Sequence, residues 1–163
     1  MKSLFKSSLV HLLFLAFSLQ CVAQTPMEGY LFAYFEGSGA DQEAIRFAVS
    51  DDATHWKALN QNNPIIPSAA ISNTGGVRDP HLLRGAEDDG FYMVATDMFT
   101  KKDGWDTNPG IVLMHSDDLI TWQSTAINLE KSYPKFKNTK WVWAPQTFYD
   151  TQKKKYLVYF TVR

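Results

Sequence analysis

Short apolar segments separated by polar turns make up most of the chain after about residue 29. They are rich in aromatic and β-branched residues and show little of the 3.6-residue period of a helix. The clearest strands are YLFAYF (30–35), FYMVAT (91–96), IVLMHS (111–116) and YLVYFT (156–161). The polar stretches EDDG (87–90) and DTQKKK (150–155) predict hairpin turns. The pattern therefore predicts an all-β chain.

The apolar segments recur in a fixed order. IRFAVSDDATHW (45–56) matches IVLMHSDDLITW (111–122) at an offset of 66, and RDPHLLRGAEDDGFYMVAT (78–96) matches WAPQTFYDTQKKKYLVYFT (143–161) at an offset of 65. A repeat of this length, built from about four short strands, is typical of one blade of a β-propeller. In that architecture the Ser-Asp-Asp element forms a tight turn and the tryptophan packs between blades. We therefore expect Trp56 and Trp122 to be largely buried.

The length of the repeat limits how much of a propeller the chain can form. Residues 24–163 correspond to roughly two blades, whereas a propeller closes with about 4 to 8. We expect a partial propeller whose missing C-terminal blades belong to the same protein. The alternative is a small two-sheet β domain that is complete as it stands, and the repeat offsets argue against it.

The first 23 residues follow a different pattern. Lys2 and Lys6 precede the apolar run Leu9–Phe17, and small residues follow at Cys21 and Ala23. The run is shorter than the roughly 20 residues of a membrane-spanning helix. The pattern predicts a signal peptide over residues 1–23, cleavage near Ala23 and export to the periplasm or the extracellular space, without membrane insertion. Cys21 leaves a lipid anchor as the alternative.

Removal of this segment changes the charge and the cysteine count. It takes away the single cysteine, two of the 16 Lys and Arg, and none of the 17 Asp and Glu, so the net charge of residues 24–163 is −3. This balance predicts no nucleic-acid partner. His55, His81 and His115 lack the ligand spacing of a zinc site, and no serine lies in a G-x-S-x-G turn. We expect neither a metal nor a cofactor.

The stretch GGVRDPHLL (75–83) places Asp79 at the entrance of an apolar strand. Pro80 is allowed at the start of a strand and restricts Asp79 to an extended conformation, while the two preceding glycines permit close approach to other backbone. In a propeller the innermost strand of each blade begins near the central axis. We therefore expect Asp79 and Gln146, on equivalent strands, to open onto one pocket. A carboxylate that only caps a turn is the alternative for Asp79.

Taken together, these segments resemble glycoside hydrolase family 43. The resemblance rests on an ordered set of motifs over about residues 29–163: NNPIIP, GGVRDPHLLR, GFYMVATD, NPGIVLMHSDDLITW and WVWAPQTFYDTQKKKYLVYFT. It implies a five-bladed β-propeller and a secreted, inverting glycosidase. It also implies an oligo- or polysaccharide substrate containing arabinosides, xylosides or, in some branches, galactans.

The same resemblance assigns Asp79 as the general base. Inverting hydrolysis also needs a carboxylic acid about 6.5–9.5 Å away, to protonate the leaving oxygen. In the family this acid is a Glu, and it lies on a later blade together with an Asp that tunes its pKa. Both positions fall beyond Arg163. Asp97, Asp106 and Glu36 do not lead strands, so we expect this chain alone to be inactive.

Four further residues are candidates for contact with the substrate. Gln146 stands where the family often has an acid, which suggests a contact with a sugar hydroxyl or, alternatively, an amide that satisfies the backbone. Trp143 and Trp105 offer aromatic faces to a sugar ring, and core packing is the alternative for Trp143. Arg78 lies beside the base, although strand alternation favours the opposite face for its side chain. A non-catalytic carbohydrate-binding propeller and an inactive truncated product remain alternative functions.

Overall fold

The structure, a computed structural model, describes residues 29–39 and 41–163. The predicted signal peptide lies outside the described residues. Within them the strands are β1 (Tyr30–Tyr34), β2 (Arg46–Ser50), β3 (Lys57–Ala58), β4 (Val77–Arg84), β5 (Phe91–Asp97), β6 (Gly110–Ser116), β7 (Gln123–Asn128), β8 (Val142–Asp150) and β9 (Lys155–Val162). The four segments with the clearest strand pattern correspond to β1, β5, β6 and β9. The all-β prediction is confirmed.

Helical structure is limited to single turns. The described residues contain the four-residue helices α1 (Ser68–Ile71), α2 (Thr100–Asp103) and α3 (Leu129–Ser132), and 3₁₀ turns at Asn60–Asn62, Ala86–Asp88 and Pro134–Phe136. In this part of the chain no helix is both long and apolar enough to cross a membrane.

The strands form three antiparallel sheets in chain order. The first sheet has the order β1-β2-β3, the second β4-β5-β6-β7 and the third β8-β9. Within each sheet, every strand pairs with the next one along the chain, as in a meander. None of these sheets closes on itself within the described ranges, so the propeller and its blade count stay a prediction.

The second and third sheets begin with the same ladder. Between β4 and β5 the ladder contains the pairs Arg78–Thr96 and His81–Val94. The corresponding pairs between β8 and β9 are Trp143–Thr161 and Gln146–Tyr159. Both ladders contain a register shift at the same place, between the two pairs given. The 65-residue repeat is thus a repeat of structure, and the predicted equivalence of RDPHLLR and WAPQTFY is confirmed.

The Ser-Asp-Asp elements also form equivalent turns. The Ser50 hydroxyl lies 3.0 Å from Asp52 Oδ1, and the Ser116 hydroxyl lies 3.0 Å from Asp118 Oδ1. Backbone N–H groups donate to both carboxylates from two and three residues further on. These hydrogen bonds, above all that from the amide of His55 to Asp52 and that from Thr121 to Asp118, lower the pKa of each aspartate. The structural role predicted for the element is therefore confirmed.

The main core lies between the first and second sheets. Its buried members come from both sheets, from α1 and from the residue just before β2: Ile45, Phe47, Ile71, Val77, Met93, Ala95, Val112 and Met114. A smaller cluster of Ile111, Leu129 and Val142 connects the second sheet to the third. Consecutive sheets therefore pack on each other, and burial of their apolar faces is the main stabilising contribution.

The expected burial of the two repeat tryptophans holds for only one of them. Trp122 is partly buried, packs against the main core and lies edge-on to Phe47 of the first sheet at 6.3 Å. Trp56 is 42% exposed, so the prediction for this residue is wrong. Its ring contacts Phe32 at 5.3 Å, but no described sheet covers its outer face. Within residues 29–39 and 41–163, Trp122 has a preceding sheet to pack against and Trp56 has none, which accounts for the difference in burial.

Candidate active site

The loop that leads into β4 is held by one buried carboxylate. Asp97, which is 1% exposed, accepts hydrogen bonds from Asn73 N at 2.9 Å, Thr74 N at 3.0 Å and the Thr74 hydroxyl at 2.7 Å. A Cβ at Gly76 would lie 2.4 Å from the carbonyl oxygen of Met98, so only glycine fits there. These contacts fix the chain immediately before the strand that carries Asp79.

Asp79 lies in the β-bulge near the start of β4. Its φ is +50°, whereas the sequence predicted an extended conformation because of Pro80. That prediction is wrong, because the extra residue of a bulge breaks the pleat and needs a different backbone shape. Asp is among the residues that tolerate a positive φ best. Bulges often direct a side chain at active sites, and this one sets the direction of the Asp79 carboxylate.

One oxygen of this carboxylate is held by a neighbouring strand. The hydroxyl of Thr96 on β5 donates to Asp79 Oδ2 at 2.9 Å and accepts from the backbone N–H of Ala144 on β8 at 3.0 Å. Thr96 is fully buried and Asp79 is half-buried. Among the described residues, no group donates a hydrogen bond to Asp79 Oδ1. This oxygen is therefore available to a water molecule or a ligand.

Arg78 faces away from Asp79, as strand alternation favours. Its Nη1 donates to Glu43 Oε1 at 2.9 Å, to the Gly37 carbonyl at 3.1 Å and to the Ser38 hydroxyl at 3.1 Å. Glu43 is completely buried and also accepts from Thr100 N. Because the Arg78 side chain is only 11% exposed, the structure favours a role in holding the site together.

The guanidinium of Arg78 also joins an aromatic group that includes both predicted tryptophans. It lies 4.9 Å from the centre of the Trp105 ring. Trp105 meets Trp143 edge-on at 6.3 Å, and Trp143 stacks on Trp141 at 4.1 Å with an interplanar angle of 9°. We call Trp105, Trp141 and Trp143 the tryptophan wall. Trp105 is 53% exposed and Trp143 donates from its indole nitrogen to buried Asn108, so the wall is both anchored and accessible.

Gln146 corresponds to His81 rather than to Asp79. The paired ladders align the residues of the two bulges so that Ala144 is the counterpart of Asp79. Gln146 is exposed, and its side-chain oxygen accepts from the Tyr159 hydroxyl. His81 is half-buried, and its Nδ1 accepts from Thr147 N at 3.3 Å. Burial lowers the pKa of His81, which favours the neutral ring that this hydrogen bond needs.

The other carboxylates considered as acids are in different environments. Asp97 accepts three hydrogen bonds in the loop described above, and Glu36 pairs with Arg46 at 3.3 Å. Asp106 is exposed, in the loop that follows Trp105. Across residues 29–39 and 41–163, no three His, Cys, Asp or Glu side chains gather closely enough to hold a metal ion.

Two grooves in the described surface are lined by residues other than Asp79. One of about 400 Å³ lies beside the second and third sheets, lined among others by Leu113, His115 and Val158. Another of about 450 Å³ lies between the first sheet and the β6–β7 turn of the second, lined among others by Leu31, Leu59 and Leu119. Both follow apolar sheet surfaces and contain none of the predicted site residues. We therefore locate the candidate site by the geometry of the Asp79 carboxylate rather than by the volume of a groove.

Sequence reasoning missed three residues of this arrangement: Thr96, Glu43 and Trp141. Thr96 carried a signal, because a threonine recurs 65 positions later at Thr161. Trp141 and Trp143 both lie in the segment WVW (141–143). The sequence gave no reason to choose one of these rings over the other as the contact for a sugar. Glu43 lies in a loop 35 residues before Arg78 and had no pattern to mark it.

Comparisons with known proteins support the family resemblance found in the sequence. One curated relative is an alpha-L-arabinofuranosidase of Bifidobacterium longum subsp. longum, 27% identical over 151 residues. The alignment covers 85% of this chain but only 14% of the length of that relative. Residues 25–163 match the sequence model of a family described as "Probable glycosyl hydrolase domain", which is related to glycoside hydrolase family 43. On this match over most of its length, the chain belongs to the glycoside hydrolase family 43-related domains.

Proposed function

We propose that residues 24–163 form the N-terminal blades of an exported glycosidase that hydrolyses O-glycosidic bonds with inversion, with Asp79 as general base. The observation that carries the proposal is the geometry of Asp79. Its carboxylate is half-buried, is set by a bulge, has one oxygen held by Thr96 and has the other without a donor among the described residues. A base that activates water needs such a fixed carboxylate with one accessible oxygen.

The chemistry requires a second carboxyl group. A water molecule near Asp79 Oδ1 attacks the anomeric carbon while its proton passes to Asp79. The glycosidic C–O bond breaks on the opposite face, and a carboxylic acid gives its proton to the leaving oxygen. Asp97 and Glu36 already have internal partners. We therefore place the acid on a later blade, about 6.5–9.5 Å from Asp79.

The tryptophan wall supports a carbohydrate substrate. The C–H face of a pyranose or furanose is apolar and packs on an aromatic ring, and Trp105 has half of its surface free for such a contact. We propose that Trp105 and Trp143 contact a sugar ring and that Gln146 contacts a sugar hydroxyl. Arg78 contributes by holding Trp105 in place. The curated relative is an alpha-L-arabinofuranosidase, so arabinosides are the first substrates to test, followed by xylosides and galactans.

In this proposal the active protein is longer than residues 24–163. The chain spans 14% of the length of its curated relative. Large apolar side chains are exposed on the first sheet, including Tyr30 and Phe32, and on the third, including Phe148 and Tyr159. Further blades would cover both surfaces. We expect no hydrolysis by residues 24–163 alone, because in this proposal the proton donor and the blades that close the pocket lie further along the protein.

The test compares this chain with a version extended by the downstream blades. We expect the extended protein to hydrolyse nitrophenyl arabinofuranoside or xyloside and to release the sugar with inverted anomeric configuration, seen by proton NMR. Asp79→Asn should lower kcat by roughly 10²–10⁴-fold with little change in Tm, because Asn also tolerates a positive φ. Retained configuration, hydrolysis by the short chain, or full activity of Asp79→Asn would each contradict the proposal.

The tryptophan wall also favours a second function, a propeller that binds carbohydrate without cleaving it. Binding of a sugar to the tryptophan wall requires no carboxylate. At the bulge of the third sheet, Ala144 occupies the position equivalent to Asp79, so this bulge carries no carboxylate. Calorimetry with arabino- and xylo-oligosaccharides separates the two functions. Binding that is lost in Trp105→Ala, together with no hydrolysis by the extended protein, would support the binding function.

A further inference from the structure

The Thr96 hydroxyl connects two sheets to the same carboxylate. It lies between Asp79 Oδ2 at 2.9 Å and Ala144 N at 3.0 Å. Asp79 belongs to β4, Thr96 to β5 and Ala144 to β8, so the contact joins the second sheet to the third. Thr96 is fully buried, and bulk water cannot replace either partner.

The direction of the proton follows from the partners. A threonine hydroxyl has one proton to donate and lone pairs to accept with. Because the Ala144 N–H can only donate, Thr96 must accept from it, and its own proton therefore points at Asp79. A hydrogen bond to an ionised carboxylate is stronger than one between neutral groups, and acceptance from Ala144 polarises the hydroxyl further.

We propose that Thr96 is the positioning residue for the general base. It fixes Oδ2, so that Oδ1 is the oxygen that receives the proton from water, and it makes the orientation of the base depend on the docking of the third sheet. This role rests on the proposed function of Asp79. Thr96 does not touch the substrate and acts only through Asp79.

The repeat supplies a natural comparison for this role. Thr161 is the counterpart of Thr96, and Ala144 is the counterpart of Asp79. The strand pair β8–β9 thus repeats the backbone and the threonine but carries no carboxylate at the bulge. Thr161 is exposed, and no hydrogen bond of its hydroxyl is found among the described residues. A threonine at this repeat position is therefore a positioning residue only where an aspartate faces it.

The test uses steady-state kinetics of the blade-extended protein with Thr96→Val, Thr96→Ser and Thr161→Val. Thr96→Val keeps the shape and removes the hydroxyl, so kcat should fall roughly 10- to 100-fold while KM stays within about 3-fold, as expected when a reacting group is misplaced by a fraction of an ångström. Thr96→Ser restores the donor and should keep kcat within about 3-fold of the wild type. Thr161→Val should leave both parameters unchanged.

A second replacement covers the case in which Thr96→Val does not fold. Thr96→Cys has the shape of Thr96→Ser but a poor donor, so kcat of the Cys variant should be clearly below that of the Ser variant at equal Tm. Equal kcat in the Ser and Cys variants, wild-type kcat in folded Thr96→Val, or an equal loss in Thr161→Val would overturn the inference.

Asp79→Asn, measured beside them, separates the two proposals. If Asp79→Asn is fully active, the proposed function fails and this inference fails with it. If Asp79→Asn is inactive while folded Thr96→Val keeps the wild-type kcat, Asp79 stays the base and only the positioning role is wrong.

Discussion

The entrances of the second and third sheets have the same backbone and different chemistry. Val77 and Val142 begin β4 and β8 and are both completely buried. Two residues later, Asp79 and Ala144 have φ values of +50° and +48°, each followed by a proline. The ladders beyond the bulges keep the same register. A single local shape is therefore used twice.

The side chains on this shape differ at three of the four positions. The sequence Arg78-Asp79-Pro80-His81 in one sheet becomes Trp143-Ala144-Pro145-Gln146 in the other. Alanine has no polar group that benefits from a positive φ, and this conformation costs it about 1–2 kcal/mol. Since the bulge forms at Ala144 regardless, the fold imposes it. The bulge alone therefore indicates no function, and the carboxylate placed on it does.

The position before the bulge gives the largest expected effect on stability. Replacing Arg78 with Met would leave the completely buried Glu43 carboxylate without its cation. Loss of one partner of a buried ion pair costs about 3–5 kcal/mol, so we expect the free energy of unfolding of Arg78→Met to fall by roughly 3 kcal/mol in urea denaturation. Trp143, the counterpart of Arg78, needs no charged partner.

A double variant sharpens this comparison. In Arg78→Met with Glu43→Gln the buried charge is removed, while the Gln oxygen still accepts from Thr100 N. The double variant should recover about 1–2 kcal/mol relative to Arg78→Met alone. Arg78→Met with a loss of less than about 1 kcal/mol, or a double variant less stable than Arg78→Met, would contradict the assignment of Glu43 and Arg78 as a structural pair.

The repeat explains how much of this arrangement the sequence could predict. Alternating apolar segments locate the strands, and the 65-residue offset relates β4 to β8 through their residues alone. The Ser-Asp-Asp turns were predictable because their hydrogen bonds stay within a few residues of Asp52 and Asp118. Local pattern and internal repetition were sufficient for all of these features.

The remaining features depend on contacts that no local pattern records. Thr96 and Asp79 are 17 residues apart in the sequence, and the bulge in β4 together with the β4–β5 register brings their side chains into contact. The positive φ of Asp79 comes from the same bulge. The sequence analysis predicted that Gln146 and Asp79 open onto one pocket. The alignment of Pro80 with Pro145, however, makes His81 the counterpart of Gln146. The exposure of Trp56 depends on a neighbouring sheet, and neither its spacing nor its residue type could reveal that.

The two repeat tryptophans extend the comparison to the first sheet. Trp122→Ala removes a ring packed between two sheets and should lower the free energy of unfolding by roughly 2–3 kcal/mol, somewhat less than for a fully buried aromatic residue. Trp56→Ala removes a ring that is 42% exposed and should cost less than about 1 kcal/mol. Urea denaturation of both variants measures the difference. Equal losses would mean that the packing of Trp122 between the sheets contributes nothing.

Replacements of His81 and Gln146 give the smallest expected effect on stability, and this effect depends on pH. Burial lowers the pKa of His81 from its ordinary value of 6.5. At a pH above this value the ring is neutral in both the folded and the unfolded chain. As the pH falls through about 6.5, the unfolded chain takes up the proton more readily than the folded one, so the contribution of His81 to stability is progressively lost.

His81→Gln copies the residue of the third sheet and removes this titration, while its side-chain oxygen can still accept from Thr147 N. Between pH of about 7.5 and about 5, Tm should therefore fall less in His81→Gln than in the wild type. The reciprocal variant Gln146→His places a histidine at an exposed position, where protonation needs no desolvation, and its Tm should follow the wild-type pH dependence. Both variants keep His55 and His115, so the comparison isolates the changes at positions 81 and 146. A Tm of His81→Gln that falls as steeply as that of the wild type would show that the neutral His81 ring is not what joins β4 to β8.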